Sequence, residues 1–219
     1  MTENNLVALG APKLAIVPSP QALSDAAWKA LLEYARAGGV LLITGSPERD
    51  DRWRKTQRLR DLGIAADAAP LTFRAATMNA GRSQIAALFA GNRQLTLESL
   101  NLPDGWAERK VGQGTMLVAA YPVELAESAD ATRAVYQIAL ERAGVGPSFT
   151  GMVPAGVLVR PTVFADSVLY LLESEAAASA DLDLKDTASG APLRLHLPAQ
   201  GAALVLLDRR TGAVLAKCD

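Results

Sequence analysis

Cysteine and histidine are nearly missing from this chain of 219 residues, with one of each. Cys218 stands next to the last residue, so no intramolecular disulfide can form and the redox compartment stays undecided. His196 and Cys218 cannot make a zinc site without further ligands, and the sequence offers none beside them. An excess of one charge is missing too. Lysine and arginine total 22 against 23 acidic residues, a formal net charge of -1 with no long run of either sign. Nucleic-acid binding needs a clustered basic face, and no such cluster is visible. No apolar run reaches the length of a membrane span, so no membrane partner is expected. The opening MTENNLVALGAPK has no basic n-region and no long apolar core, so it does not read as a signal peptide. If the chain is a piece of a longer protein, that opening says nothing about export, and localisation is left open.

What is present is enough apolar sequence for one large domain or two small ones, since 50% of the residues are hydrophobic. Leu14 to Val17 is a short apolar run closed by Pro18-Ser19-Pro20, which predicts a buried strand. Ser24 reads as a helix N-cap, and Leu23 with Trp28 as a hydrophobic staple across it. Trp28, Leu31, Leu32 and Ala35 recur at helical spacing, and Gly38-Gly39 stops the helix. Val40 to Thr44 is wholly apolar or β-branched, as in a central strand covered on both faces. Strand, helix and strand make one βαβ unit, with Leu14–Val17 and Val40–Thr44 as adjacent buried strands. Arg49 to Asp61 reads as a solvated, charged loop entering a helix that Gly63 ends. Ser83 to Phe89 and Gln94 to Leu100 resemble strands. Ala107 to Val111 and Thr115 to Ala120 flank Gly112-Gln113-Gly114 as a hairpin, and Ser128 to Ala143 is a helix.

After Gly144 the pattern changes. A glycine- and proline-rich stretch to Gly156 reads as a linker. Short alternating runs follow, at 157–160, 167–173, 180–186, 192–197, 202–208 and 213–217. That is the pattern of a small antiparallel β-sandwich. The expected organisation is an α/β domain over 1–146 and a β-domain over 152–219.

Two quoted stretches carry a family resemblance. KLAIVPSP…LSDAAWKALLEYARAGGVLLITG, within 13–45, resembles the middle of the glutamine-amidotransferase-like domain of family 42 β-galactosidases, also called their trimerisation domain. VGQGTMLVAAYPVELAESADATRAVYQIALERAGV, at 111–145, is similar to that domain's closing hairpin, strand and last helix. The part from Gly156 onward is similar to the small β-domain that ends such enzymes. The resemblance implies a flavodoxin-like or amidotransferase-like parallel-centred sheet, then the β-sandwich. It implies a non-catalytic portion of a β-galactosidase-like glycoside hydrolase, serving subunit assembly and supporting an active site on a (β/α)8 barrel. The implied partners are that barrel and further copies of the chain. The family's catalytic carboxylates lie on the barrel, which does not fit in this sequence, so none can be carried over. The resemblance also implies a βα unit before Leu14. Either the chain is truncated there or the fold starts one element late.

The residues give no catalytic, cofactor-binding or metal-binding assignment, and no cofactor. Ser46 follows a strand where a nucleophile turn would stand, but Pro47 follows it at once and no G-x-S-x-G is present. A triad needs a histidine, and His196 alternates outward in the β-domain. Glu48, Asp50 and Asp51 cluster after the second strand, on the side where open α/β sheets bind ligands. They offer a cation or sugar-hydroxyl site, yet Arg49, Arg52 and Arg54 interleave with them and favour a solvated ion-pair loop. Gly112 and Gly114 lack the third glycine and following helix of a dinucleotide loop. Trp28 reads as core, whereas Trp53 and Trp106 stand in polar contexts and are candidates to stack on a carbohydrate. Glu124 reads as a site residue or a cap for the helix after it. The alternative function is a stand-alone carbohydrate-binding or scaffold protein.

Overall fold

The computed structural model describes residues 12–71, 74–89 and 98–218. The chain divides into two compact units, residues 1–145 and 146–219. The first is a mixed α/β unit. It runs through β1 (Leu14–Val17), α1 (Asp25–Arg36), β2 (Val40–Thr44), α2 (Arg58–Asp61), β3 (Ala68–Pro70), β4 (Arg74–Ala80), β5 (Ser83–Phe89) and β6 (Glu98–Leu100). Then come β7 (Trp106–Val111), β8 (Gly114–Ala119), a 3-10 turn at Val123–Leu125 and α3 (Asp130–Arg142).

Its main sheet has the order β1-β2-β8-β7. β1, β2 and β8 are parallel, and β7 returns antiparallel to β8. All of β2 and β8 is buried, which is why both read as continuous apolar runs. β1 pairs with β2 as expected, but among the described residues it is an edge strand, and only Ala15 in it is fully buried. α1 connects the two. Its N-terminus is capped by Ser24, whose Oγ accepts from the Ala27 N–H at 3.1 Å. Leu23 and Trp28 are both 9% exposed, so the staple and the core face are as the spacing predicts. The double glycine does more than stop the helix. The Tyr34 ring lies where a side chain on Gly39 would stand, 2.2 Å from an added Cβ. At Gly114, an added Cβ would lie 2.2 Å from the carbonyl oxygens of both Ala35 and Gly39. The turn of the β7–β8 hairpin is thereby seated on the end of α1, and the Gln113 N–H donates to Arg36 O at 3.0 Å.

Two antiparallel pairs, β3–β6 and β4–β5, complete the described part of this unit. β3 and β4 have no counterpart in the sequence reading. Of the strand expected over Gln94–Leu100, Glu98–Leu100 forms β6, and the rest lies outside the described residues. The helix expected from Ser128 begins at Asp130.

The second unit is all antiparallel. Its strands are β9 (Phe149–Thr150), β10 (Val157–Val163), β11 (Ser167–Ser174), β12 (Ala180–Asp186), β13 (Pro192–Leu197), β14 (Ala202–Asp208) and β15 (Val214–Cys218). They form sheets of order β10-β11-β14-β15 and β13-β12-β9. Residues from both sheets, among them Tyr170, Leu172, Leu184, Leu197 and Leu207, share one core. β12 and β13 alternate leucine inward with charge outward, as read. β10 runs past Arg160 through Pro161, which is tolerated because β10 is an edge strand. β9 falls within the stretch read as a linker and pairs with β12. Among the described residues no helix is long and apolar enough to cross a membrane.

Candidate functional site at the carboxyl edge of the parallel strands

β1, β2 and β8 end at the same edge of the sheet, and each runs into a turn containing proline: Pro18 and Pro20, Pro47, and Pro122. Proline, with its fixed φ, stiffens these turns. Glu124 gathers three of them. The Thr44 hydroxyl lies 2.8 and 2.7 Å from its two oxygens, Ser19 Oγ donates to Oε2, and Tyr136 Oη donates to Oε1 at 2.9 Å. Ser19 sits at φ 43, and its N–H donates to Thr44 Oγ1 at 2.9 Å. Burial, and then the bond to Glu124, push the Tyr136 hydroxyl up to about 12. Glu124 therefore ties β1, β2 and α3 together. It does not cap the following helix, whose N-cap is Ala129 with no side-chain bond.

A second carboxylate after the parallel strands is fully buried. Glu48 is 4% exposed and accepts from the Leu59 N–H at 2.8 Å, the Arg58 N–H at 2.9 Å and the Thr56 hydroxyl at 2.9 Å. It holds the start of α2, where free N–H groups and the positive end of the helix favour an acid. Arg58 is 5% exposed. Its guanidinium donates to the carbonyls of Pro47, Arg49 and Leu23 and to Asp25 Oδ1, and it stacks 5.7 Å from the Trp28 ring centre. The loop read as solvated is thus organised around buried Glu48 and Arg58, with Asp50 buried in its outer turn.

Asp50 builds the outer turn of that loop. Its Oδ1 accepts from the N–H groups of Arg52 and Arg54 at 2.9 and 2.8 Å, and its Oδ2 from Arg54 Nε at 2.7 Å. Burial pushes this carboxyl up, but the bonds from Arg54 and Arg52 outweigh it and hold it below the ordinary aspartate value. Arg49 grips Glu98 with two bonds, Nε at 3.1 Å and Nη2 at 2.6 Å, and donates through Nη1 to Trp53 O at 2.8 Å. Trp53, at the tip, is 58% exposed at φ 59. A small hollow beside it is lined by Pro20, Gln21, Ser46, Arg49, Trp53 and Glu98.

Among the described residues no buried side-chain nitrogen or oxygen lacks a partner, and no three of His, Cys, Asp and Glu converge as a metal site would require. The carboxylates of this edge are engaged by protein donors and brace loops. Ser46 is buried, and its Oγ accepts from the Glu48 N–H at 3.3 Å. His196 lies in the other unit, exposed and 2.8 Å from Asp181. Cys218 is exposed on β15. Asp51 and Arg52 are exposed. Gly112 and Gly114 bound the β7–β8 turn, so the hairpin reading of that motif stands. Of the two candidate aromatics, Trp106 packs on the first core and Trp53 stays open to solvent. Sequence reasoning did not single out Ser19, Thr44, Tyr136 or Glu98. Their partners lie from 12 positions away, for Tyr136 and Glu124, to 105, for Ser19 and Glu124, and no local signal marks such pairs.

Comparison with protein-family models and with curated proteins gives no match. Solved structures do match. The β-galactosidase from Bacillus circulans sp. alkalophilus is 16% identical with a TM-score of 0.60, covering 89% of this chain and 33% of that one. A catalytic mutant of a GH42 β-galactosidase from G. stearothermophilus is 18% identical with a TM-score of 0.60, covering 90% and 32%. The β-galactosidase from Rahnella sp. R3 is 13% identical with a TM-score of 0.59, covering 90% and 32%. At these identities the likeness is one of fold, and the chain spans about a third of the length of these enzymes.

Proposed function

We propose that this chain is a non-catalytic accessory region of a β-galactosidase-like glycoside hydrolase, serving subunit assembly and supporting an active site on a barrel domain that the chain does not contain. The observation that carries the reading is the match of about nine-tenths of this chain to a third of several β-galactosidases. The order of parts, α/β and then antiparallel sheets, also agrees with it. On this reading residues 1–146 are the amidotransferase-like trimerisation domain and residues 152–219 a small β-sandwich. No residue is assigned to catalysis, a cofactor or a metal. Glycosidase chemistry needs two carboxyl groups facing one another across a scissile bond. At the carboxyl edge, Glu48 and Glu124 instead accept from several protein donors each.

The test combines activity with mass. The purified chain should not hydrolyse a nitrophenyl β-galactoside, and light scattering should show self-association. Turnover lost on Glu124→Gln would overturn the first half, and a monomer at all concentrations would overturn the assembly role. A second reading, a carbohydrate-binding or scaffold protein acting on its own, is favoured by one observation, the exposed Trp53.

A further inference from the structure

The left-handed backbone region suits glycine, and a bulky residue there is strained. Trp53 occupies it at φ 59 while 58% of its surface stays in water. Burial therefore gives back little for the strain. The turn is nevertheless firmly held. The Trp53 N–H donates to Asp50 O at 2.9 Å, Trp53 O accepts from Arg49, and the Asp50 carboxylate grips the N–H groups on either side. Strain that the surroundings over-determine points to a function for the strained residue.

We propose that Trp53 is the stacking platform of a binding site for a neutral pyranoside, with Gln21 and Glu98 meeting the hydroxyls at the ring edge. A pyranose has an apolar C–H face and a polar perimeter. The indole offers a matching apolar face, and the hollow beside it carries an amide and a carboxylate on Gln21 and Glu98. Arg49 is already bound to Glu98, so the pair presents little net charge and suits an uncharged ligand. A protein hot spot would sit within apolar surface, whereas Asp51, Arg52, Arg54 and Lys55, the neighbours of Trp53 in the chain, are exposed and charged. The turn is braced before any ligand arrives, so little freedom is lost on binding. The site uses only the first unit, and so it stands independently of the assembly role proposed above.

The experiment is a titration of the intact 15N-labelled chain, following the three tryptophan indole signals by NMR. The probes are methyl β-galactopyranoside and methyl β-glucopyranoside, with glycerol as an open-chain control. The Trp53 indole and the Gln21 side-chain amide should shift saturably with a pyranoside, while Trp28 and Trp106 stay in place. Gln21→Ala should weaken binding about threefold and Trp53→Gly at least about tenfold. Trp53→Gly also removes the backbone strain, so its Tm should equal or exceed that of the parent. No saturable shift at Trp53, an equal response to glycerol, or a lowered Tm for Trp53→Gly would each overturn the proposal. So would a Trp53→Gly variant that changes oligomeric mass and leaves the response to pyranosides unchanged. A monomeric chain whose Trp53 signal still responds would sink only the assembly role.

Discussion

Glu48, Asp50 and Arg58 in the first unit are 4, 4 and 5% exposed, whereas the side chains of Asp181, Asp183, Arg194 and His196 in the second are 62 to 90% exposed. Strand type accounts for the contrast. A parallel strand covered on both faces, such as β2, has room for polar groups only at its ends. Buried charge in the first unit, Glu48, Asp50 and Arg58, therefore lies past the end of β2, where it is partnered. The antiparallel strands β12 and β13 send every second side chain outward, so most of their charge spreads along an exposed face; Asp186, at the end of β12, is the buried exception and accepts from Tyr170 and Ser189. The same residue types therefore carry different weight in the two halves.

The contrast can be broken or sharpened by substitution, and the probe is built in. All three tryptophans, Trp28, Trp53 and Trp106, lie in the first unit, so tryptophan fluorescence reports on it alone. The largest effect is expected from Trp28→Ala, which removes a core ring and the face on which Arg58 stacks. It should lower the unfolding free energy of the first unit by about 3–5 kcal/mol in urea. A loss under about 1 kcal/mol would mean that this face of α1 is not core. Next, Arg58→Met should cost roughly 3 kcal/mol, because it strands the buried carbonyls of Leu23, Pro47 and Arg49. Arg194→Met, removing an exposed partner of Asp183, should leave thermal melting unchanged. Equal effects from the two arginines would dissolve the comparison.

Smaller again is Ser24→Ala, which deletes the α1 cap and should cost about 1 kcal/mol, read from the same urea transition. The smallest effect is one of pH. Tyr136 is raised from 10.0 to about 12 in the folded chain, so its contribution is complete below pH 10 and is lost as pH rises toward 12. Tyr136→Phe should flatten that alkaline decline in the fluorescence-detected transition. Tyr170 is also raised, by burial and then by its bond to Asp186, so the second unit should keep its own alkaline decline in the variant. Circular dichroism, which sees both units, would register the difference.

Much of this fold is legible in the sequence where one physical signal dominates. β2 is a run of apolar and β-branched residues, α1 has cap, staple and stop, and β12 and β13 alternate strictly. β4 is not legible in the same way. RAATMNA buries Ala76, Met78 and Ala80, but alanine and methionine fit a helix as well as a strand. The charged loop misleads for a different reason. Glu48, Asp50 and Asp51 look alike in sequence, and only the fold places N–H groups around the first two and water around the third. The Glu124 cluster depends on contacts across 80 and 105 positions, which no local pattern encodes.

The seat of Gly114 against Ala35 and Gly39 also acts as a proofreading device for assembly of the sheet. A slip of β8 by one position past β2 would bring Gln113 or Thr115 to that seat. Either would drive a Cβ into carbonyl oxygens where the correct residue has only hydrogen. The same slip would turn every β8 side chain to the opposite face. Because that strand is buried on both faces, hydrophobicity alone scarcely distinguishes the two alignments. One glycine, held where a helix ends, supplies the discrimination that the apolar pattern lacks.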